Sequence, residues 1–217
     1  MTPLAVGLLL RDRDVLVVGA GPVAVAKIGR LLASEARVTV VAPDVTPQIA
    51  AWAQDGVVTL HHRRFAPADL DGKWFCLTAT GRDRVDREVF DACEARHLLC
   101  NAADVPEACS VFLMAQEDAG PITLAVGTRG NSPGLSGRLA REARDVWPED
   151  VAALVARYGA IRAWLKQERP GPALLEQRTA ALRWLASQPW DVLRRTEADL
   201  QAAVLHAFAT LPPQRPR

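Results

Sequence analysis

The residues best suited to chemistry stand near the start of the chain, in Asp14-Val-Leu-Val-Val-Gly-Ala-Gly-Pro-Val-Ala-Val-Ala-Lys27. Gly19, Gly21 and Ala24 form a Gly-x-Gly-x-x-small pattern. A Gly-x-Gly turn lets backbone N–H groups approach a pyrophosphate, and a helix that opens at Pro22 and Val23 adds the positive end of its dipole. The third small residue, Ala24, lets that helix pack closely on the preceding strand. The turn can therefore hold a dinucleotide or a related nucleotide. With no ligand to hold, the same residues would simply make a tight strand-to-helix turn.

The flanking sequence supplies the elements such a turn needs. Val15 to Val18 are apolar and mostly β-branched, which suits a strand buried on both faces. Ala24, Ile28, Leu31 and Leu32 fall on one helical stripe, and Arg37 to Val41 gives a second strand that closes a βαβ unit. After the loop Ala42-Pro-Asp-Val-Thr-Pro47, the spacing predicts a helix over about Gln48–Gln54 and strands over Val57–His62, Trp74–Ala79 and Leu98–Asn101. It also predicts a turn over Pro67–Gly72 and a helix capped by Asp83 that runs to about Arg96. Strands alternating with helices call for a Rossmann-like parallel sheet of the α/β class, with helices on both faces. Such sheets bind ligands at the strand C-termini, so the loops after Val18, Val41, Ala79 and Asn101 should line one crevice. Ala42, Pro43, Thr80 and Gly81 then face the cofactor. Asn101 either helps to hold it or ends a strand, and Lys27 either reaches a phosphate or lies on the helix surface. An acid is usual at the end of the second strand, to hold ribose hydroxyls. Val41 and Ala42 stand there instead, and Asp44 is a weak candidate two residues on.

Beyond Asp104 the pattern changes. Ser110–Ala115 and Ile122–Gly127 read as the strands of a hairpin. Ser132 is a good N-cap with Pro133 at the first helical position. The helix that follows carries Arg138, Arg141 and Arg144 on one face. From Glu149 onward the chain reads as helical, interrupted at Pro170-Gly-Pro172 and Gln188-Pro189. Val151, Leu154, Val155, Ile161 and Leu165 suit core or dimer contacts, and Trp164, Trp184 and Trp190 suit packing. The expected organisation is a nucleotide-binding domain over residues 1–109, a small mixed α/β region over 110–147 and a helical C-terminal domain over 148–217.

Composition narrows the function classes. Of the 217 residues 49% are hydrophobic and 24% charged, as in an ordinary globular protein. A net charge of +1 argues against coating a polyanion, so no nucleic-acid partner is expected. Met1–Leu10 is apolar but too short to span a bilayer and lacks a basic leader, so it reads as an edge strand or packing segment of a cytoplasmic protein with no membrane partner. Cys76, Cys93, Cys100 and Cys109 form no pair with metal-ligand spacing and read as small buried hydrophobes. His61 and His62 are adjacent on a strand and face opposite ways, so no metal site is expected.

Three segments together resemble the precorrin-2 dehydrogenase / sirohydrochlorin ferrochelatase family, the dehydrogenase part of siroheme synthase. They are Leu10-Arg-Asp-Arg-Asp14 leading into the glycine turn, Cys100-Asn-Ala-Ala-Asp-Val-Pro106, and Gly127-Thr-Arg-Gly-Asn-Ser-Pro-Gly-Leu135. The resemblance covers Pro3 to about Arg144 closely and the rest loosely. It implies a homodimer that uses NAD to oxidise precorrin-2, a reduced tetrapyrrole rich in carboxylates, to sirohydrochlorin. The family holds both single-function dehydrogenases and members that also insert Fe2+, and the spacing does not separate the two. The central region 110–147 would make the dimer. The methyltransferase domain fused to some siroheme synthases is not expected in this chain. By the same resemblance Asp104 is the general base, with Asn101 able to orient it. Arg129, Ser132, Arg138 and Arg141 are suited to bind the substrate's carboxylates. Two other functions would share the opening βαβ unit: a nucleotide-sensing regulatory module, and a dehydrogenase of a different small substrate.

Overall fold

The computed structural model describes residues 3–103 and 105–212. The β-branched runs form five parallel strands: β1 (Asp14–Val18), β2 (Arg37–Val41), β3 (Thr59–His61), β4 (Phe75–Thr78) and β5 (Leu99–Ala102). Their order is β3-β2-β1-β4-β5, with β1 in the centre. The order reverses beside β1, which is where a doubly wound sheet opens its ligand crevice. Helices α1 (Pro22–Ala33), α2 (Pro47–Gln54) and α3 (Asp83–Glu94) connect the strands. Because side chains alternate along a strand, β1 feeds two cores. Val15 and Val17 pack with Ile28 and Leu31 of α1 and Ile49 of α2, while Leu16 and Val18 pack with Val89 and Cys93 of α3. This sheet belongs to a first unit, Met1–Met114 with Gly127–Pro133.

The second unit comprises Ala115–Val126 and Gly134–Arg217. It contains an antiparallel hairpin, β6 (Ala115–Ala119) and β7 (Ile122–Val126), then α4 (Pro133–Asp145), α5 (Val151–Glu168), α6 (Leu175–Ala186), α7 (Trp190–Leu193) and α8 (Glu197–Thr210). The hairpin turns at Gly120, whose φ of 58° and close approach to Ala152 of α5 suit only glycine: an added Cβ would come within 2.9 Å of the Ala152 Cβ. Leu154, Ile161 and Leu165 of α5 pack with Leu185 of α6 and Leu200 and Val204 of α8. Asp150 clamps Arg194 with two hydrogen bonds of 2.7 and 2.8 Å, and the Tyr158 hydroxyl donates to the Leu182 carbonyl at 2.9 Å.

Several expected elements move. The first hairpin strand is Ala115–Ala119 rather than Ser110–Ala115, because residues 110 and 111 are tied back to β5: the Ser110 and Val111 amides donate to the Cys100 carbonyl at 2.9 and 3.2 Å. Residues 3–10 form no strand, and only Leu10 among them is buried. Asp83 is the first residue of α3 rather than its cap, which is Arg82. Trp164 and Trp184 pack against the helical core as expected, but Val155 and Trp190 are exposed. Among the described residues no helix is long and apolar enough to cross a membrane.

Candidate functional site

The C-terminal ends of β1, β2 and β4 open into a crevice of about 580 Å³ in the first unit. Of the residues expected to hold a cofactor, Gly19, Gly21, Pro22, Val23, Ala42, Pro43, Thr80 and Gly81 all line it, and so does Asp44.

The two glycines meet different constraints. Gly19 has φ 101°, and a Cβ there would lie 2.4 Å from the Ala79 carbonyl oxygen. Strand β4 thus presses directly on the turn, held by the Ala79 amide donating to the Val18 carbonyl at 2.8 Å. Gly21 is extended (φ −80°, ψ −177°), and a Cβ there would meet nothing within 4 Å. That open space lies at the mouth of α1, whose first turn has no side-chain cap and no acidic residue. The backbone donors of the first turn, together with the helix dipole, therefore suit an anion. These features fit the pyrophosphate of a dinucleotide.

The second helix terminus at the crevice is different. α3 carries Asp83 and Asp86 in its first turn, so its positive end is already offset by its own carboxylates. Asp86 is buried at 1% exposure. Its Oδ1 accepts hydrogen bonds from the Thr78 hydroxyl, the Thr80 hydroxyl at 2.8 Å and the Thr80 amide at 3.3 Å. The Thr80 oxygen in turn accepts from the Arg82 amide at 3.1 Å. Thr80 lines the crevice, yet its hydroxyl is engaged away from it.

Sequence reasoning missed the far wall, formed by Arg64, Phe65, Arg82, Arg84, Val85 and Glu88. Arg64 and Phe65 follow the short strand β3, in a loop shaped by Asp69. The Asp69 carboxylate takes two hydrogen bonds from Arg63, one of 2.8 Å, and one of 2.9 Å from the Ala66 amide. The Arg63 guanidinium holds the Asp69 carboxyl below its ordinary range. Arg84, Val85 and Glu88 sit on the opening turns of α3, where amphipathic periodicity alone does not distinguish crevice from solvent.

Asn101 does not line the crevice. Its amide donates to the Val111 carbonyl at 2.9 Å, and its oxygen accepts from Lys27 Nζ at 3.4 Å. Both side chains thus tie β5 to its surroundings. Asp104 lies outside the described residues; its neighbour Ala103 lines the crevice. The four residues expected to bind substrate divide between the units: Arg129 and Ser132 in the first, Arg138 and Arg141 in the second. Arg129 has φ 55° in the loop before α4. The Ser132 amide donates to the Thr128 hydroxyl oxygen at 3.1 Å, and that hydroxyl lies 3.1 Å from the Ser132 carbonyl. Arg138 pairs with Glu142 at 2.6 Å.

One cluster was invisible in the spacing. Cys76 of β4, Cys100 of β5 and Cys93 of α3 bring their Sγ atoms within 4.8 Å of one another, and all three are buried. Cys76 and Cys100 are partners in the β4–β5 register. Hydrogen bonding to Cys100 and Cys93, together with burial, holds the Cys76 thiol well above its ordinary range. The surrounding shell is apolar, with Leu16, Val18, Val89 and Leu98 in the same core.

A family model described as putative NAD(P)-binding matches residues 6–115. "Siroheme synthase 1" of Aeromonas hydrophila is 36% identical over 157 residues, covering 72% of this chain and 34% of that protein. "Siroheme synthase" of Citrobacter koseri is 37% identical over 159 residues, covering 73% and 35%, and that of Salmonella paratyphi A is 39% identical over 160 residues with the same coverage. The chain thus spans about a third of the length of these curated relatives. A solved structure, "SirC, precorrin-2 dehydrogenase", superimposes with a TM-score of 0.70 at 23% identity, covering 94% of this chain and 98% of that one.

Proposed function

We infer that this chain, which belongs to the putative NAD(P)-binding family, is an NAD-dependent dehydrogenase that oxidises precorrin-2 to sirohydrochlorin. The observation that carries this reading is the glycine turn: an uncapped, acid-free helix mouth with open space at Gly21, in a chain that aligns with siroheme synthases over 72% of its length. The sheet order and the superposition on SirC support the fold the reaction requires.

The chemistry a bound NAD supplies is acceptance of a hydride. The α1 amides are the proposed ligands of its pyrophosphate, and Ala42, Pro43, Thr80 and Gly81 line the crevice that would hold it. The proton lost with the hydride needs a base, and Asp104 is the proposed one. Arg129, Ser132, Arg138 and Arg141 are the proposed ligands of the substrate's carboxylates, since guanidinium–carboxylate pairs are strong and directional. The proposed assembly is a homodimer built through residues 110–147, flanked by the nucleotide domain and the helical domain. Its proposed setting is the cytoplasm, with which four cysteines free of disulfides agree.

The test is turnover of precorrin-2 with NAD, followed by the absorbance of NADH. The wild-type protein is expected to produce NADH. Asp104→Ala is expected to lose roughly a hundredfold or more in kcat, the usual contribution of a positioned base, while binding NADH as the wild type does. A wild-type protein that binds NADH but leaves precorrin-2 unchanged would overturn the substrate assignment. Undiminished turnover in Asp104→Ala would overturn the role of Asp104.

A further inference from the structure

We propose that Asp86 is a positioning residue of the cofactor crevice. On this proposal its buried carboxylate folds the Thr80–Gly81–Arg82 turn into the shape that admits the dinucleotide. The inference rests on the reading of the crevice as a dinucleotide site, and it concerns a residue that does not itself line the crevice.

The geometry is specific. Asp86 is 1% exposed and Thr78 is fully buried, so both polar groups must find partners inside the protein. They find each other across the end of β4. Three donors converge on a single oxygen, Oδ1: the Thr78 hydroxyl, the Thr80 hydroxyl and the Thr80 amide. With its proton given to Asp86, the Thr80 hydroxyl keeps its lone pairs for the Arg82 amide. The carboxylate therefore acts on Thr80 directly and on Arg82 through Thr80. Gly81, between them, has φ 66°, a left-handed conformation that the two anchored neighbours impose. Thr80, Gly81 and Arg82 all line the crevice.

The same turn is also coupled to the glycine turn. A Cβ on Gly19 would stand 2.4 Å from the Ala79 oxygen and 3.0 Å from the Thr80 nitrogen, so the two loops are in contact. Moving Thr80 would move the wall against which the pyrophosphate turn is built. A one-sided loss is then expected: without Asp86 the turn at 80–82 has lost its anchor, and the crevice no longer matches its ligand.

The convergence on Oδ1 makes the proposal testable with a conservative change. Asparagine retains an oxygen acceptor at that position for the two hydroxyls, whereas alanine retains none. The experiment titrates the full-length protein with NADH, read by its fluorescence, on wild type, Asp86→Asn, Asp86→Ala and Thr80→Val, at a temperature where each is folded by circular dichroism. Loss of the hydrogen bonds that Oδ1 accepts predicts a Kd about tenfold or more weaker for Asp86→Ala and Thr80→Val, with Asp86→Asn, which keeps the acceptor, within about threefold of wild type. A merely structural role would lower the melting temperature of the variants and leave the Kd of the folded protein unchanged. The proposal is overturned if folded Asp86→Ala binds NADH within twofold of wild type, or if Asp86→Asn is as weak as Asp86→Ala. If Asp86→Ala does not fold, Thr80→Val decides alone: binding within twofold of wild type overturns the proposal. Wild-type protein that fails to bind NADH would instead overturn the dinucleotide reading, and the proposal with it.

Discussion

Gly19 and Gly21 stand two residues apart in one turn and answer to opposite demands. Gly19 is glycine because of the protein: its φ of 101° and the Ala79 oxygen, 2.4 Å from any added Cβ, leave no room for a side chain. Gly21 has an ordinary backbone and open space where its Cβ would be, so the protein itself does not require glycine there. The difference predicts two phenotypes. Gly19→Ala should destabilise the fold by about 1–3 kcal/mol, the usual cost of a forced backbone or a steric clash. Gly21→Val should cost about 1 kcal/mol, the difference between a glycine and an aliphatic N-cap, with no steric clash added. It should nevertheless abolish measurable NADH binding by filling the space next to the α1 amides. Thermal unfolding and NADH titration of the two variants check this, and a Gly21→Val protein that binds normally would show that the pyrophosphate lies elsewhere. The pattern Gly-x-Gly made both residues legible, but it did not say which one served the fold. Asp86 was not legible at all, because its partners Thr78 and Thr80 lie across a loop and no periodicity connects a helix residue to the end of the preceding strand.

Elements were read well where the hydrophobic pattern set them. β1, β2 and β4 are runs whose buried residues are apolar apart from Thr78, and they lie within a residue of where the hydrophobic pattern puts them. The hairpin was misplaced for a physical reason. Ser-Val-Phe-Leu-Met at 110–114 has strand character, yet its Ser110 and Val111 amides are used by β5, while Ala-Gln-Glu-Asp-Ala at 115–119 has little strand propensity and is a strand because it pairs with β7. The loop after β3 shows the same dependence on partners. Asp69 fastens Arg63 and the Ala66 amide on either side of Arg64 and Phe65, which line the crevice. Because Arg63 depresses its folded-state pKa, Asp69 contributes stability that is complete above the unfolded carboxyl pKa of about 3.9 and is lost as the pH falls through the lower folded value. Asp69→Asn should therefore be less stable than wild type at neutral pH, by about 1 kcal/mol or less for a partly exposed pair. The gap should close as the pH falls below about 4. Melting curves of both proteins across that range test it; a gap that persists unchanged in acid would mean the pair is not what separates them.

At the scale of the whole molecule, the residues proposed for cofactor and substrate are found in different stretches of the chain. The crevice proposed for the dinucleotide is lined by residues of the first unit, and two of the three proposed substrate cations, Arg138 and Arg141, are on the second. With a net charge of only +1 the chain cannot attract the proposed carboxylate-rich substrate by its overall field, so the proposal requires local attraction. Arg138 is already committed to Glu142 at 2.6 Å, and removing it would leave that carboxylate behind. Arg141→Ala therefore gives the cleaner experiment. It should raise the KM for precorrin-2 about tenfold or more, in keeping with the loss of a charge-assisted hydrogen bond worth roughly 1.5–3 kcal/mol when fully formed. The Kd for NADH should not change. The effect should also shrink with added salt, because exposed charges are screened over about 8 Å at physiological ionic strength and over less in stronger salt. Steady-state kinetics at two ionic strengths, beside an NADH titration, separate the outcomes. Were Arg141→Ala to weaken NADH binding while leaving the KM for the tetrapyrrole unchanged, the proposed assignment of Arg141 to the substrate would be wrong.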